Sequence, residues 1–202
     1  AASALQIVNA IYHSVIPKPG NYIVFFPSYR YMETCAELFR RHYPAIPLHV
    51  QGAAMTPQER QAFLERFETF GEVQLHFCVL GGMFAEGIDF SGERLIGTII
   101  IGVGLPMINP ESDFVKEHSD AQGKPGYHFA YTFPGMNKVL QAMGRVIRTK
   151  KDSGIIVLID DRYLTPLYRS LFPPHYRHAL CVRDNLRLET LIRAFWQKRS
   201  EQ

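Results

Sequence analysis

Five short apolar runs constrain this chain more than any other feature: NYIVFF, LHV, VQLHFCVL, a strand within RLIGTIIIGVGLP, and GIIVLID. Most are apolar throughout rather than alternating with polar residues, which suits strands buried on both faces. Between them lie stretches with helical spacing. Met32, Cys35, Leu38 and Phe39 set one face of a helix across Tyr29 to Tyr43. Parallel neighbours need a crossover, and a crossover is normally a helix, so the alternation predicts an α/β fold with a mostly parallel sheet covered on both faces. Ligands then bind beyond the carboxyl ends of the strands. That rule selects PSYR after the first strand, GGMFAEGIDF after the third, and the loop and helix carrying QAMGRVIR.

Local chemistry marks the boundaries. Leu5, Val8, Ile11, Tyr12 and Val15 define an opening helix that must stop at Pro17 and Gly20. Thr56, Pro57 and Glu59 spell an N-cap, a first-turn proline and a capping box, for a helix running to about Phe70. Pro106 to Pro125 mixes proline, glycine and charge without clear periodicity and reads as a loop insertion. Helical spacing resumes from Gly126 to about Ile147, and a last amphipathic helix covers Arg183 to Trp196. A chain of 202 residues with 47% hydrophobic content suffices for one large domain, residues 1–202. Its opening inside a helix, without an initiator methionine, is expected of a piece of a longer polypeptide.

Bulk chemistry excludes several classes. The apolar run at Leu95 to Leu105 is broken by glycines and falls short of the ~20 residues a membrane span needs. Cys35, Cys78 and Cys181 are far apart and in no CxxC spacing, which argues against a disulfide framework or a metal site and fits a reducing cytoplasm. The eight histidines form no ligand pattern, so no metal is assigned. A net charge of +3 leans only faintly toward polyanions.

The sharpest constellation is Gln141, Gly144, Arg145 and Arg148. On a helix, spacings of four and three put Gln141, Arg145 and Arg148 on one face, where two guanidiniums and an amide can hold a phosphate chain. Gly144 leaves room for a phosphate or another backbone to approach. A solvated basic face continuing into Thr149, Lys150 and Lys151 is the plainer alternative. In GGMFAEGIDF, Asp89 offers a carboxylate to a ribose hydroxyl or an arginine; it could equally cap a backbone amide in a turn. Ser28, Tyr29 and Arg30 stand where a strand gives way to a helix, and free amides, a hydroxyl and a stackable ring there suit a nucleic-acid strand. Ser28 as a simple N-cap and Tyr29 as helix packing fit the same positions.

These segments occur in the order of three helicase motifs. QAMGRVIR (141–148) resembles motif VI of superfamily 2, GGMFAEGIDF (81–90) resembles motif V as written in the DinG/XPD branch, and FFPSY, near 25–30, resembles that branch's motif IV. KDSGIIVLIDDRY and FPGMNKVLQAMGRVIR are similar to bacterial DinG-type sequences. The resemblance implies a RecA-like domain, the second of two in one polypeptide, with ATP in the cleft between them. It makes Arg148 the arginine finger, with Arg145 and Gln141 beside the phosphates and Asp89, Glu86 and Gly87 lining the cleft. It brings Gly81, Gly82 and Gln51 near single-stranded DNA, and it implies 5′ to 3′ movement.

No GKT or GKS loop is present, no DEAH-like box, and no set of four cysteines. On this reading the P-loop, the Mg2+ ligands and any iron-sulfur cluster belong to the first motor domain, and the isolated chain binds no cofactor of its own and hydrolyses no ATP. Two alternatives are a non-catalytic nucleic-acid-binding module with a degenerate RecA-like fold, and an unrelated α/β domain binding a small nucleotide.

Overall fold

The apolar runs pair as one sheet. The structure, a computed structural model, describes residues 2–84, 94–147, 152–176 and 178–201. Within them the strands are β1 (Gly20–Phe26), β2 (Leu48–Val50), β3 (Val73–Val79), β4 (Gly97–Ile101) and β5 (Ile155–Ile159). They lie in the order β2-β3-β1-β4-β5, every pair parallel. The helices are α1 (Ala2–Val15), α2 (Tyr29–His42), α3 (Pro57–Glu65), α4 (Pro110–Ala121), α5 (Phe133–Met143), α6 (Pro166–Ser170) and α7 (Asn185–Ser200).

Strand periodicity divides the core in two, because successive side chains point to opposite faces. Tyr22, Val24 and Phe26 of β1 join Leu75, Phe77, Ile99 and Ile101 under α1, α2 and α7. Ile23 and Phe25 face the other way and join Cys78, Ile100, Phe63, Val139 and Met143 under α3 and α5. Both faces of β1 are fully buried, as expected of the central strand of a doubly covered parallel sheet.

The capping box at α3 is as the sequence spells it: Glu59 N–H donates to Thr56 Oγ1 at 3.2 Å, and Thr56 N–H donates to Glu59 Oε2 at 2.8 Å. The helix itself is shorter than expected and passes into a 3-10 turn at Arg66–Glu68. Pro106 to Pro125 is not the unpatterned loop expected, since it contains α4. Asn109 caps α4 by accepting from Ser112 N–H at 2.8 Å, and a proline and two acids occupy its first turn. Periodicity missed this helix because Phe114, which would mark a core-facing stripe, is 68% exposed.

Helix α5 also departs from expectation. Pro134 cannot donate a backbone hydrogen bond, and the chain absorbs that with a π-helical turn at His128–Thr132, where Phe133 N–H reaches His128 O. At its far end α5 stops at Met143, four residues early, because Gly144 caps it and Arg145 N–H turns back to Ala142 O at 3.2 Å. Among the described residues no helix is long and apolar enough to cross a membrane.

Candidate functional site

Two groups of residues expected at one edge of the sheet are found at opposite edges. PSYR and the opening of GGMFAEGIDF do follow the carboxyl ends of β1 and β3. Helix α5, however, follows β4 and runs back antiparallel to the strands, so the residues at its end arrive where β4 and β5 begin. Val146 is pressed against Gly154, immediately before β5, where an added Cβ would come within 2.1 Å of Val146 Cγ1 and 2.8 Å of Ile96 O. The carboxyl-end rule therefore misplaces QAMGRVIR: Val146 within it lies at the amino ends of the strands.

At the carboxyl edge, side chains from three strand ends are tied together. Gln51, just after β2, is 2% exposed. Its Oε1 accepts from Val79 N–H at 2.9 Å, and its Nε2 donates to Tyr29 OH at 2.8 Å. Both halves of the amide are thus used within the chain. Gly82 closes against the same amide: a Cβ there would stand 3.0 Å from Val79 O and 3.3 Å from Gln51 Nε2. Ser28 does cap α2, accepting from Tyr31 N–H at 3.3 Å, while Ser28 and Arg30 themselves are exposed. Burial raises the pKa of Tyr29, so its phenol stays protonated and can both accept from Gln51 and donate outward. Gly81 is exposed with φ +73°, in the left-handed region that favours glycine.

Sequence reasoning passed over a buried histidine in the core, held by Asn21, and a lysine beside this edge. Asn21 donates both amide hydrogens, to Phe67 O and Thr69 O at 3.0 and 3.1 Å, so its oxygen is left to accept from His76 Nε2 at 3.2 Å. His76 is fully buried and stacked on Phe67; burial, then the neighbouring His49 and Arg66, hold its pKa well below the ordinary histidine value. It is a neutral core histidine in a protein interior that would not tolerate its charge. The second missed residue is Lys138, whose side chain crosses Gly81. Its spacing of three from Gln141 on one helix was the available sign.

At the amino end, the expected helical stripe is broken by the early stop of α5. Gln141 is exposed on the last helical turn, and Arg145 is half-buried in the tight turn that follows. Gly144 between them is open: a Cβ there would make only ordinary contacts, 3.5 and 3.6 Å, with Leu140 O and Gln141 O. Arg145 Nε is buried, so the surface of this stretch is made by the Gln141 amide and the open Gly144. Arg148, Asp89, Gly87 and Glu86, the other residues expected here, lie outside the described residues.

A family model for the helicase C-terminal domain matches residues 11–179. The chain belongs to that family, in its DinG/XPD-type branch. This helicase C-terminal domain is 30% identical over 158 residues to a probable ATP-dependent helicase of Methanocaldococcus jannaschii, covering 71% of this chain and 24% of the relative. It is also 30% identical over 156 residues to the general transcription and DNA repair factor IIH helicase subunit XPD/RAD3 of Saccharomyces cerevisiae, covering 72% and 20%. The domain spans about a quarter or less of the length of these curated relatives. An apo XPD structure superposes with a TM-score of 0.61 at 21% identity over 80% of this chain and 33% of that one. The C-terminal domain of the DEAD-box protein Dbp5 does so with a TM-score of 0.54 at 13% identity, over 96% and 92%. The helicase C-terminal domain thus has the RecA-like fold of these neighbours.

Proposed function

We propose that this chain is the second RecA-like motor domain of an ATP-dependent helicase that moves 5′ to 3′ along single-stranded DNA and separates duplexes, in DNA repair or replication. The observation that carries the reading is the end of α5. Exposed Gln141 and open Gly144, with Arg145 in the turn beside them, lie inside the family-matched stretch, and the relatives are named ATP-dependent helicases.

In this reading a first RecA-like domain of the same polypeptide presents ATP and Mg2+ from its P-loop, and any iron-sulfur cluster belongs to that domain. Gln141 and Arg145 hold phosphate oxygens across the cleft. Arg148 neutralises charge that develops on the γ-phosphate during hydrolysis, while Asp89, with Glu86 and Gly87, lines the ribose side. The carboxyl edge, with Ser28, Tyr29, Arg30, Gly81 and Gly82, carries the single strand; Gln51 serves it from beneath by holding Tyr29 in place.

The test is Arg148→Ala in the full-length protein. DNA-stimulated ATP hydrolysis should fall by ~10³-fold or more, with nucleotide binding retained. Turnover near the wild-type rate would sink the assignment. A wild-type protein that binds DNA but hydrolyses no ATP would favour the non-catalytic nucleic-acid-binding module instead.

A further inference from the structure

Lys138 has no part in the motifs, yet it occupies the point where the two edges of the domain communicate. It projects from α5, and its stem passes over Gly81: Cδ, Cε and Nζ lie 3.0, 3.1 and 3.4 Å from where a Gly81 Cβ would stand. The positive φ of Gly81 disfavours a side chain there, and any Cβ would press on the lysine stem and make it shift. Glycine at this position therefore gives the lysine its route onto the carboxyl edge.

Among the described residues no carboxylate answers the charge at the end of that route. Lys116, Arg94, Arg162 and Arg193 each pair with a carboxylate; among the described residues Lys138 does not. Its side chain is half-buried along the stem, the arrangement in which a lysine lays its methylenes on apolar surface and keeps the ammonium in water. Beside it stands the Gly82–Gln51–Tyr29 network, with Val79 N–H and the Tyr29 hydroxyl already fixed by the Gln51 amide. A compact ammonium on a rigid polar edge suits a ligand whose charge repeats regardless of orientation or sequence. A nucleic-acid backbone phosphate is such a ligand, because lysine binds it as a point charge without a preferred geometry.

We propose that Lys138 Nζ contacts a backbone phosphate of the single strand where it crosses Gly81. The inference rests on the track reading above and adds to it a residue and a physical link. Lys138 is one turn from Gln141 on the same helix. Helix α5 is held against backbone at its start, where a Cβ on Gly135 would stand 2.6 Å from Val103 O, and its following turn is held by Val146 on Gly154. A phosphate bound at Lys138 is thereby attached to the element whose other end faces the nucleotide.

The test measures binding of fluorescent oligo-dT and oligo-dA to the full-length protein as a function of KCl, for the wild type, Lys138→Ala and Lys138→Arg. In Lys138→Ala the affinity should fall several-fold and equally for both oligonucleotides. The slope of log K against log salt should shrink by about 0.7, the value for one single-strand phosphate contact. Lys138→Arg should restore most of both. An unchanged slope in Lys138→Ala overturns the inference even if the melting temperature drops, because a lysine that merely covers Gly81 changes stability and not ion release. A wild-type protein that fails to bind either oligonucleotide overturns the track reading and the inference together.

Discussion

At the carboxyl edge of the sheet the Gln51 side chain is spent on its neighbours, whereas where α5 stops, toward the amino end, the Gln141 side chain faces outward. Gln51 ties Tyr29 to Val79 with both of its amide atoms and is shut off from solvent. Gln141, the same side chain on the last turn of α5, is exposed. The difference lies in what holds each region in place. The carboxyl edge is fixed by side-chain hydrogen bonds that cross three strand ends. The far end of α5 is held by its following turn, where Val146 packs on Gly154, and this leaves Gln141 exposed. Preorganised polar groups suit a surface that must meet every stretch of a polymer alike, and uncommitted ones suit a surface completed by a partner.

The largest effect should come from the contact that seats α5. In Gly135→Val the new side chain begins 2.6 Å from Val103 O and 3.1 Å from the Gly104 carbonyl carbon. Those are backbone atoms, which cannot swing aside as a side chain would. The substitution should destabilise the domain by about 3 kcal/mol, read as a lower midpoint in urea, and should lower ATP turnover in the full-length protein even at temperatures where it remains folded. Unchanged stability would mean that α5 is not anchored by backbone contact at its start, and nothing there would then hold its far end as the contrast between the two regions requires.

The carboxyl edge should yield to a different change. Gln51→Leu keeps the volume near that of glutamine but strips the part-buried Val79 N–H of its acceptor and the Tyr29 hydroxyl of its donor. Leaving a part-buried donor of this kind unsatisfied costs about 1 kcal/mol. The expected signature is lower stability together with weaker single-strand binding, since Tyr29 loses its tether, while nucleotide binding is retained. If nucleotide affinity fell as far as DNA affinity, the two regions would not be separable in the way their bonding implies.

Much of this was readable from the sequence, and the exceptions have physical causes. The strands were legible because runs such as NYIVFF and GIIVLID are too short and too uniformly apolar to be anything else between helical stretches. The Thr56 capping box was legible because its chemistry is local. Helix α4 was not, since it is mostly exposed and so carries no apolar stripe from which periodicity could be read. The motif residues could be named, but their placement on one edge could not, because which end of the sheet a helix reaches depends on chain direction rather than on composition. Lys138 escaped notice for a related reason: its importance lies in crossing Gly81, a contact between residues 57 positions apart. Gln51 was read as a polar contact for an outside ligand, and a sequence gives no sign that both its amide atoms are already used inside.

The smallest effect on stability should come from Gly144→Ala, and that makes it the most discriminating probe of the amino end. Gly144 has φ −69°, which alanine adopts freely, and its added methyl would meet only Leu140 O and Gln141 O at ordinary distances. Helical propensity favours alanine over glycine by up to about 1 kcal/mol in a helix interior and by less at a cap, so the domain should be unchanged or slightly stabilised. Yet if Gly144 is the open shoulder through which a phosphate or a facing backbone approaches Arg145, the same methyl should raise the KM for ATP in the full-length protein. Stability and activity would then move in opposite directions, which no packing defect within this chain could produce. Were both to stay level, the glycine would be a helix stop alone, and the amino end would lose its claim to be a surface shaped for a partner.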